Sequence, residues 1–232
     1  MNELLSLSLL PLMVTLLAYQ AGAALQKRFR SAFFNPILIG VVLVLAFLGL
    51  SRMPLETYQS GMKITSWLMT PATVCLAIPM YEQYQVLKKS VPAMLIGITA
   101  GSVSCIAMVW GLCVLFGFSP ELTVTMLPKS VTSAIGVPLA EMAGGMGSIC
   151  TAAIIITGVL GSVLGEAMCK LFRLTDPIAQ GVAFGTASHV IGTAKAGELS
   201  PLVGAVSSLS LVIAGLLTAV ILPFLFPLVL VS

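Results

Sequence analysis

The sequence predicts an all-α integral membrane protein: one domain over residues 1–232, a multi-span helical bundle with broken or re-entrant helices and an internal, inverted repeat. Three observations predict it. Hydrophobic residues make up 58% of the chain and charged residues only 8%, against roughly 25% charged in a soluble domain. Apolar stretches recur at about the 20-residue length that crosses a hydrocarbon core. Between them lie equally long segments rich in proline, glycine, hydroxyls and charges, which a lipid-facing helix does not accommodate. The mean hydropathy of +1.10 agrees.

Taken in order, residues 4–25 form the first span, ended by Lys27, Arg28 and Arg30. No basic segment precedes it and no small-residue cleavage site follows, so a retained span is expected, not a removed signal peptide. The second span, 36–51, begins at Asn35-Pro36 and ends at Arg52. The third, 62–81, is expected to break at Thr70-Pro71 and again at Pro79, since proline removes a donor and crowds the preceding turn. Glu82, Lys88 and Lys89 follow it. The fourth, 91–118, is clean. Residues 122–145 have the length of a span but hold Pro128, Lys129, Pro138 and Glu141. Residues 146–169 are cleaner and contain Glu166. Residues 178–199 are again polar and glycine-rich, and 201–231 form a long last span with Pro223 and Pro227 near its end.

Charge placement bears on topology. Cytoplasmic loops carry the excess of Lys and Arg. With the N-terminus outside, Lys27, Arg28 and Arg30 fall inside, and so do Lys88 and Lys89. Lys170 and Arg173 join them only if residues 122–145 do not make a simple crossing. A re-entrant hairpin there, or two short crossings, restores the parity.

A weak internal echo suggests duplication. Thr73, Pro79 and Glu82 fall on Thr132, Pro138 and Glu141 at a common offset of 59, and Gly101-Ser-Val103 matches Gly161-Ser-Val163. Residues 62–117 and 121–173 are therefore read as two related halves. Paired Gly/Pro-interrupted segments in two halves point to a transporter's binding site.

Three segments carry the candidate site residues. In Pro128-Lys-Ser-Val-Thr-Ser133, a helix start would expose backbone N–H groups and a positive dipole end. With Ser130, Thr132, Ser133 and Lys129 beside it, this suits a small anion. The plainer reading is a snorkelling lysine and a capped helix. The second is Gly185-Thr-Ala-Ser-His-Val-Ile-Gly-Thr-Ala-Lys195, with the chain's one histidine. Ser188, His189, Thr193 and Lys195 are candidates there. Histidine as a residue type titrates near neutral pH, so His189 suits proton relay or anion binding, against a satisfied structural histidine. The third is Thr70 and Thr73 beside Pro71, against a merely kinked helix. Glu82, Glu141 and Glu198 are coupling or ion-pair candidates, partners for Lys129 and Lys195. Glu166 has Lys170 four positions on and is expected to pair with it.

Other classes fit poorly. No GxSxG, HExxH, Walker A or dinucleotide fingerprint occurs. A Ser130–His189 pair lacks an orienting acid, so no enzyme is expected. The five cysteines form no CxxC, and one histidine supplies no metal site. No metal and no cofactor are expected. The net charge of +3 is too small and scattered for nucleic acid.

Leu127-Pro-Lys-Ser-Val-Thr with Gly144-Gly145, and Gly185-Thr-Ala-Ser-His-Val-Ile-Gly-Thr-Ala-Lys-Ala196, closely resemble the two signature stretches of the LrgB/CidB family. Asn35-Pro36 and Thr70-Pro71-Ala-Thr73 extend the resemblance over nearly the whole chain. It implies a multi-pass protein of the bacterial inner (cytoplasmic) membrane, often encoded beside a small LrgA/CidA-type membrane partner. The family is described as antiholin-like, modulating murein hydrolases and lysis. The related plastid protein, in which both parts are fused, is a glycolate/glycerate translocator, and some bacterial relatives are linked to pyruvate transport.

The resulting expectation is a secondary transporter of small monocarboxylates (pyruvate, glycolate or glycerate) acting in the lipid bilayer with that partner and as a homo-oligomer. Pro128–Ser133 and Ser188–Lys195 would converge near the midplane around the carboxylate, with Thr70 and Thr73 completing the site. Lys129 or Lys195 would offset its charge, and His189 would couple a proton. The alternative is an antiholin-like regulator of murein hydrolase activity and lysis that carries no solute. Its mark would be a small-xxx-small face on a lipid-exposed helix, for which Gly97 and Gly101 are candidates. A passive channel is a third reading.

Overall fold

The structure is a computed structural model that describes residues 2–29, 35–75 and 77–231; the side chains of 2–8, 69, 70, 73 and 231 lie outside the description. The described residues form helices and no strands. The chain divides into two compact units, 1–75 and 76–232.

Unit 1 holds α1 (Asn2–Phe29), α2 (Pro36–Ser51), α3 (Leu55–Gly61) and α4 (Lys63–Cys75). Asn35 starts α2, accepting from the backbone N–H groups of Ile37 and Leu38, with Pro36 in the first turn. Gly22 lets α1 approach the start of α2: a Cβ there would sit 2.8 Å from the Pro36 carbonyl oxygen. Thr15 of α1 donates to the Pro11 carbonyl at 2.7 Å. The 2.6 Å contact between Thr15 and Tyr58 is therefore donated by the tyrosine of α3. The expected break at Pro71 does not occur: α4 runs through it to Cys75. Proline is tolerated in spanning helices because neighbouring groups satisfy the freed carbonyl. Pro79 likewise lies inside a short helix.

Unit 2 holds α5 (Ala77–Glu82), α6 (Tyr84–Leu115), α7 (Pro120–Met126), α8 (Ser133–Met142), α9 (Gly147–Leu171), α10 (Pro177–Leu199) and α11 (Pro201–Val231). α6, α9 and α11 are long and apolar enough to cross a membrane, as is Leu9–Phe29 of unit 1. This is a multi-pass membrane protein. Asp176 caps α10, accepting from Ile178 and Ala179 at 2.8 and 2.9 Å.

The other two segments of unit 2 are hairpins. In the first, α7 and α8 are separated by the turn 127–132. Thr125, in the last turn of α7, accepts from the Met146 backbone N–H at 2.9 Å. The start of α9 is thereby held against the end of α7, so residues 120–146 double back. The hairpin puts Lys170 and Arg173 at the same end of unit 2 as Lys88 and Lys89, as charge parity requires. Thr125 is fully buried and donates to the Glu121 carbonyl at 2.7 Å. Thr125→Val keeps the shape but orphans the Met146 N–H, and a buried unpaired donor costs roughly 1–3 kcal/mol. We expect a lower unfolding midpoint in detergent, whereas Thr99→Val, at an exposed hydroxyl, should not move it.

The second hairpin lies within α10. His189 has φ 41° and ψ −140°, which ends one helix and starts another. The halves, 177–188 and 190–199, fold against each other. A Cβ on Gly192 would lie 3.3 Å from the Phe184 carbonyl oxygen, although eight residues of straight helix span about 12 Å. Phe184 and Ala196 share one small core with Cys169 and Val203. A single polar, broken span was expected over 178–199; the backbone instead reverses.

The two hairpins enter from opposite ends. Near the α6 C-terminus, Val109 and Cys113 pack with Val124 of the first hairpin and with Leu222 and Phe226 of α11. Nearer its N-terminus, Gly97 and Gly101 face Val182 and Thr186 of the second hairpin, at 3.4 and 3.2 Å from the place of a Cβ. That glycine pair serves packing inside the unit.

Candidate substrate site at the hairpin tips

The tip of the first hairpin runs from Leu127 to Thr132. Its turn is closed by the Lys129 and Val131 N–H groups donating to the Met126 and Pro128 carbonyls, at 3.1 and 3.2 Å. Pro128 is fully buried, while Lys129 and Ser130 are half-buried. Thr132 is extended (φ −66°, ψ 149°) and precedes α8 without a side-chain capping bond. The first N–H groups of α8 thus lack their usual side-chain acceptor, and the positive end of the helix faces the tip. Thr132 and Ser133 stand there half-buried. Such an end is suited to a carboxylate.

The tip of the second hairpin is His189. A non-glycine residue at that φ is strained by roughly 1–3 kcal/mol, and the surroundings hold it in place. Its Nε2 lies 2.8 Å from the Ile154 carbonyl oxygen of α9. A carbonyl only accepts, so Nε2 carries a proton and donates. Gly158 makes room for the ring: a Cβ there would sit 2.6 Å from His189 Cε1. Gly161 does the same for Ser188, whose hydroxyl occupies the place of the missing methyl. Thr193 donates to the His189 carbonyl at 2.9 Å. Its 2.8 Å contact with Ser207 of α11 is then donated by the serine. Ser188, His189 and Thr193 are all buried.

The tips meet. Ile154 receives the His189 ring on its carbonyl, and its side chain lies 2.8 Å from the place a Cβ on Gly136 of α8 would take. Leu127, Ser130 and Val131 of the first tip and Thr186 of the second hairpin line one cavity with residues of α6 and α11.

Other candidates lie elsewhere. Lys195 sits near the far end of its half-helix and pairs with Glu198 at 2.9 Å. Glu166 pairs with Lys170 at 2.8 Å, on the outside of α9. Glu141 is exposed, with its carboxylate over Gly147 at the α9 N-terminus, where the helix dipole favours it. Glu82 is the exposed last residue of α5. Thr70 and Thr73 belong to α4 in unit 1, and their side chains are outside the described residues. Among the described residues no group of three His, Cys, Asp or Glu could hold a metal. Sequence reasoning missed Ser102, Thr186 and Thr218, which line the shared cavity from within helices. Ser102 lies in an otherwise clean span and carries no local signal.

Residues 15–228 match the model of the LrgB-like family. The chain belongs to the LrgB family. A relative, the "Antiholin-like protein LrgB" of Bacillus mycoides (strain KBAB4), is 34% identical over 217 residues, covering 93% of this chain and 94% of its own length. No solved structure matches. The LrgB match takes in both hairpins, the tips included.

Proposed function

We propose that this LrgB-family chain is a secondary transporter of small monocarboxylates, of the pyruvate, glycolate or glycerate class. On this reading it works in the bacterial inner membrane with a small LrgA/CidA-type partner and as a homo-oligomer. One observation carries it: two hairpins of broken helix enter unit 2 from opposite ends, and the N-terminus of α8, without a side-chain cap, lies at their meeting point. Discontinuous helices facing each other in mid-membrane are the usual construction of a carrier's site. Ser130, Thr132 and Ser133 supply donors to the carboxylate, and Lys129 offsets its charge. His189, Ser188 and Thr193 hold the opposing tip in shape. Lys195, already paired with Glu198, plays a lesser part. The same reading takes 62–117 and 121–173 as copies of one unit, since in each two short helices precede a long one.

The test is uptake of labelled pyruvate, glycolate or glycerate into proteoliposomes, with and without the partner. The double variant Lys129→Ala/His189→Ala should lose at least about tenfold of the uptake rate, because a charge and a hydrogen-bonded tip each act on the bound anion. Full uptake by that variant overturns the site assignment. Lysis effects with no flux of any of these acids favour the second reading, a regulator of murein hydrolases. That reading draws support from the antiholin-like name of the Bacillus mycoides relative.

A further inference from the structure

The cavity shared by the two hairpins is lined by Ser102 and Cys105 of α6, Ser130 of the first tip, Thr186 of the second hairpin and Thr218 of α11. Its volume is about 10 Å³. That is close to the smallest space that holds one water. No charged residue lines it.

Its hydroxyls are not equivalent. Thr186 donates its proton to the Val182 carbonyl at 2.8 Å, and Thr218 donates to Ala214 at 2.7 Å. Each is left with lone pairs only. Ser102 differs from four other buried hydroxyls of the unit. Thr123, Thr125, Ser208 and Ser210 all bond the carbonyl four residues back. Ser102 is 3% exposed, and its Oγ has no partner among the described residues. A buried orphan of this kind calls for an explanation, such as an ion. Leu127 follows the last residue of α7, and Thr186 lies in the last turn before the His189 break. The cavity therefore sits at the C-terminal, negative ends of two half-helices, whose last carbonyls lack partners within the helix.

We propose that this cavity binds a single small monovalent cation of sodium's size, stripped of water and held by the oxygens of Ser102, Ser130, Thr186 and Thr218. A wall of oxygen acceptors at the negative ends of α7 and of the first half of α10 recognises a cation. Without a carboxylate side chain it leaves a divalent ion uncompensated, which is costly at membrane depth. Half-helix C-termini and unwound carbonyls are suited to sodium. The site stands on the packing of unit 2 alone. Its role as the coupling ion rests on the carboxylate reading above.

The experiment uses the full chain purified in detergent, with no carboxylate present. Thermal unfolding is followed in sodium chloride, potassium chloride and choline chloride at one ionic strength, and binding of radioactive sodium ion is measured directly. We expect a saturable rise in the unfolding midpoint with sodium, little with potassium and none with choline. Bound label should be displaced by unlabelled sodium only. Ser102→Ala should raise the half-saturating sodium concentration about tenfold, the usual scale for losing one buried polar partner. Thr186→Val should act alike, and each variant's midpoint in choline reports whether it is folded. Identical midpoints in sodium and choline with no bound label overturn the proposal. So does an unchanged sodium response in folded Ser102→Ala, which leaves the cavity to a water molecule. Neither result bears on carboxylate uptake, which is read separately.

Discussion

Gly158→Ala and Gly161→Ala will each lower the unfolding midpoint and, on the transporter reading, abolish uptake, whereas Gly111→Ala will do neither. A methyl at 158 would lie 2.6 and 2.7 Å from Cε1 and Nε2 of His189, closer than real Cβ atoms come to anything. A methyl at 161 would collide with the Ser188 side chain. Neither neighbour is the free end of a flexible chain. The His189 ring is fixed on the Ile154 carbonyl, and Ser188 is the last residue before the reversal. The tip itself must move. Overpacking of this kind costs about 1–3 kcal/mol, and the displaced tip is the part that meets the first hairpin. Gly111, in the same membrane-spanning setting, has nothing within 4 Å of its missing Cβ. Its replacement should gain up to about 1 kcal/mol of helix propensity. Paired thermal unfolding and proteoliposome uptake read both outcomes. A Gly158→Ala variant as stable as Gly111→Ala would mean that the ring does not sit where it is placed here.

His189→Gly will unfold at a higher temperature than His189→Ala. Both lose the hydrogen bond to Ile154 and leave the ring's space empty. They differ in the backbone. At φ 41° and ψ −140° glycine is at ease and alanine is not. The difference should be about 1–2 kcal/mol in favour of glycine. In a helix that ran straight through position 189 the order would reverse, since glycine costs roughly 1 kcal/mol against alanine in a helix interior. The sign of this difference therefore reports the hairpin directly. On the transporter reading both variants should also take up substrate poorly, because the tip is left without its anchor on α9.

Much of this architecture is legible in the sequence, for reasons that differ along the chain. Asn35-Pro36 marks the start of α2, and the same pairing of a capping side chain with proline, missed by sequence reasoning, starts α7 at Ser119-Pro120 and α10 at Asp176-Pro177. The long spans are set by apolar length alone. The hairpin over 122–145 is announced by its prolines, charges and hydroxyls, but the helix expected to begin near Pro128 begins at Ser133, after a turn. Three features are not legible. Pro71 reads as a break, yet α4 passes through it, because interruption depends on whether neighbours can satisfy the freed carbonyl. The reversal at His189 falls on a non-glycine residue, four and three positions from the glycines that would have advertised it. It is imposed by tertiary packing: Gly158 and Gly161 below, Ile154 beside. Ser102 looks like any hydroxyl in an apolar helix. What sets it apart is that its proton does not go to the carbonyl four residues back, and no sequence pattern records that.

The opposed hairpins also have an electrical consequence. Each fills one part of the membrane's depth with half-helices, and the two thin towards a common seam at Ser130, Thr186 and Ile154. Where water reaches the tips from both sides, the voltage drops across that seam and not over the full hydrocarbon thickness of about 30 Å. A charge stepping through it would then feel nearly the whole membrane potential while moving only a few ångströms, worth about 2.3 kcal/mol per 100 mV.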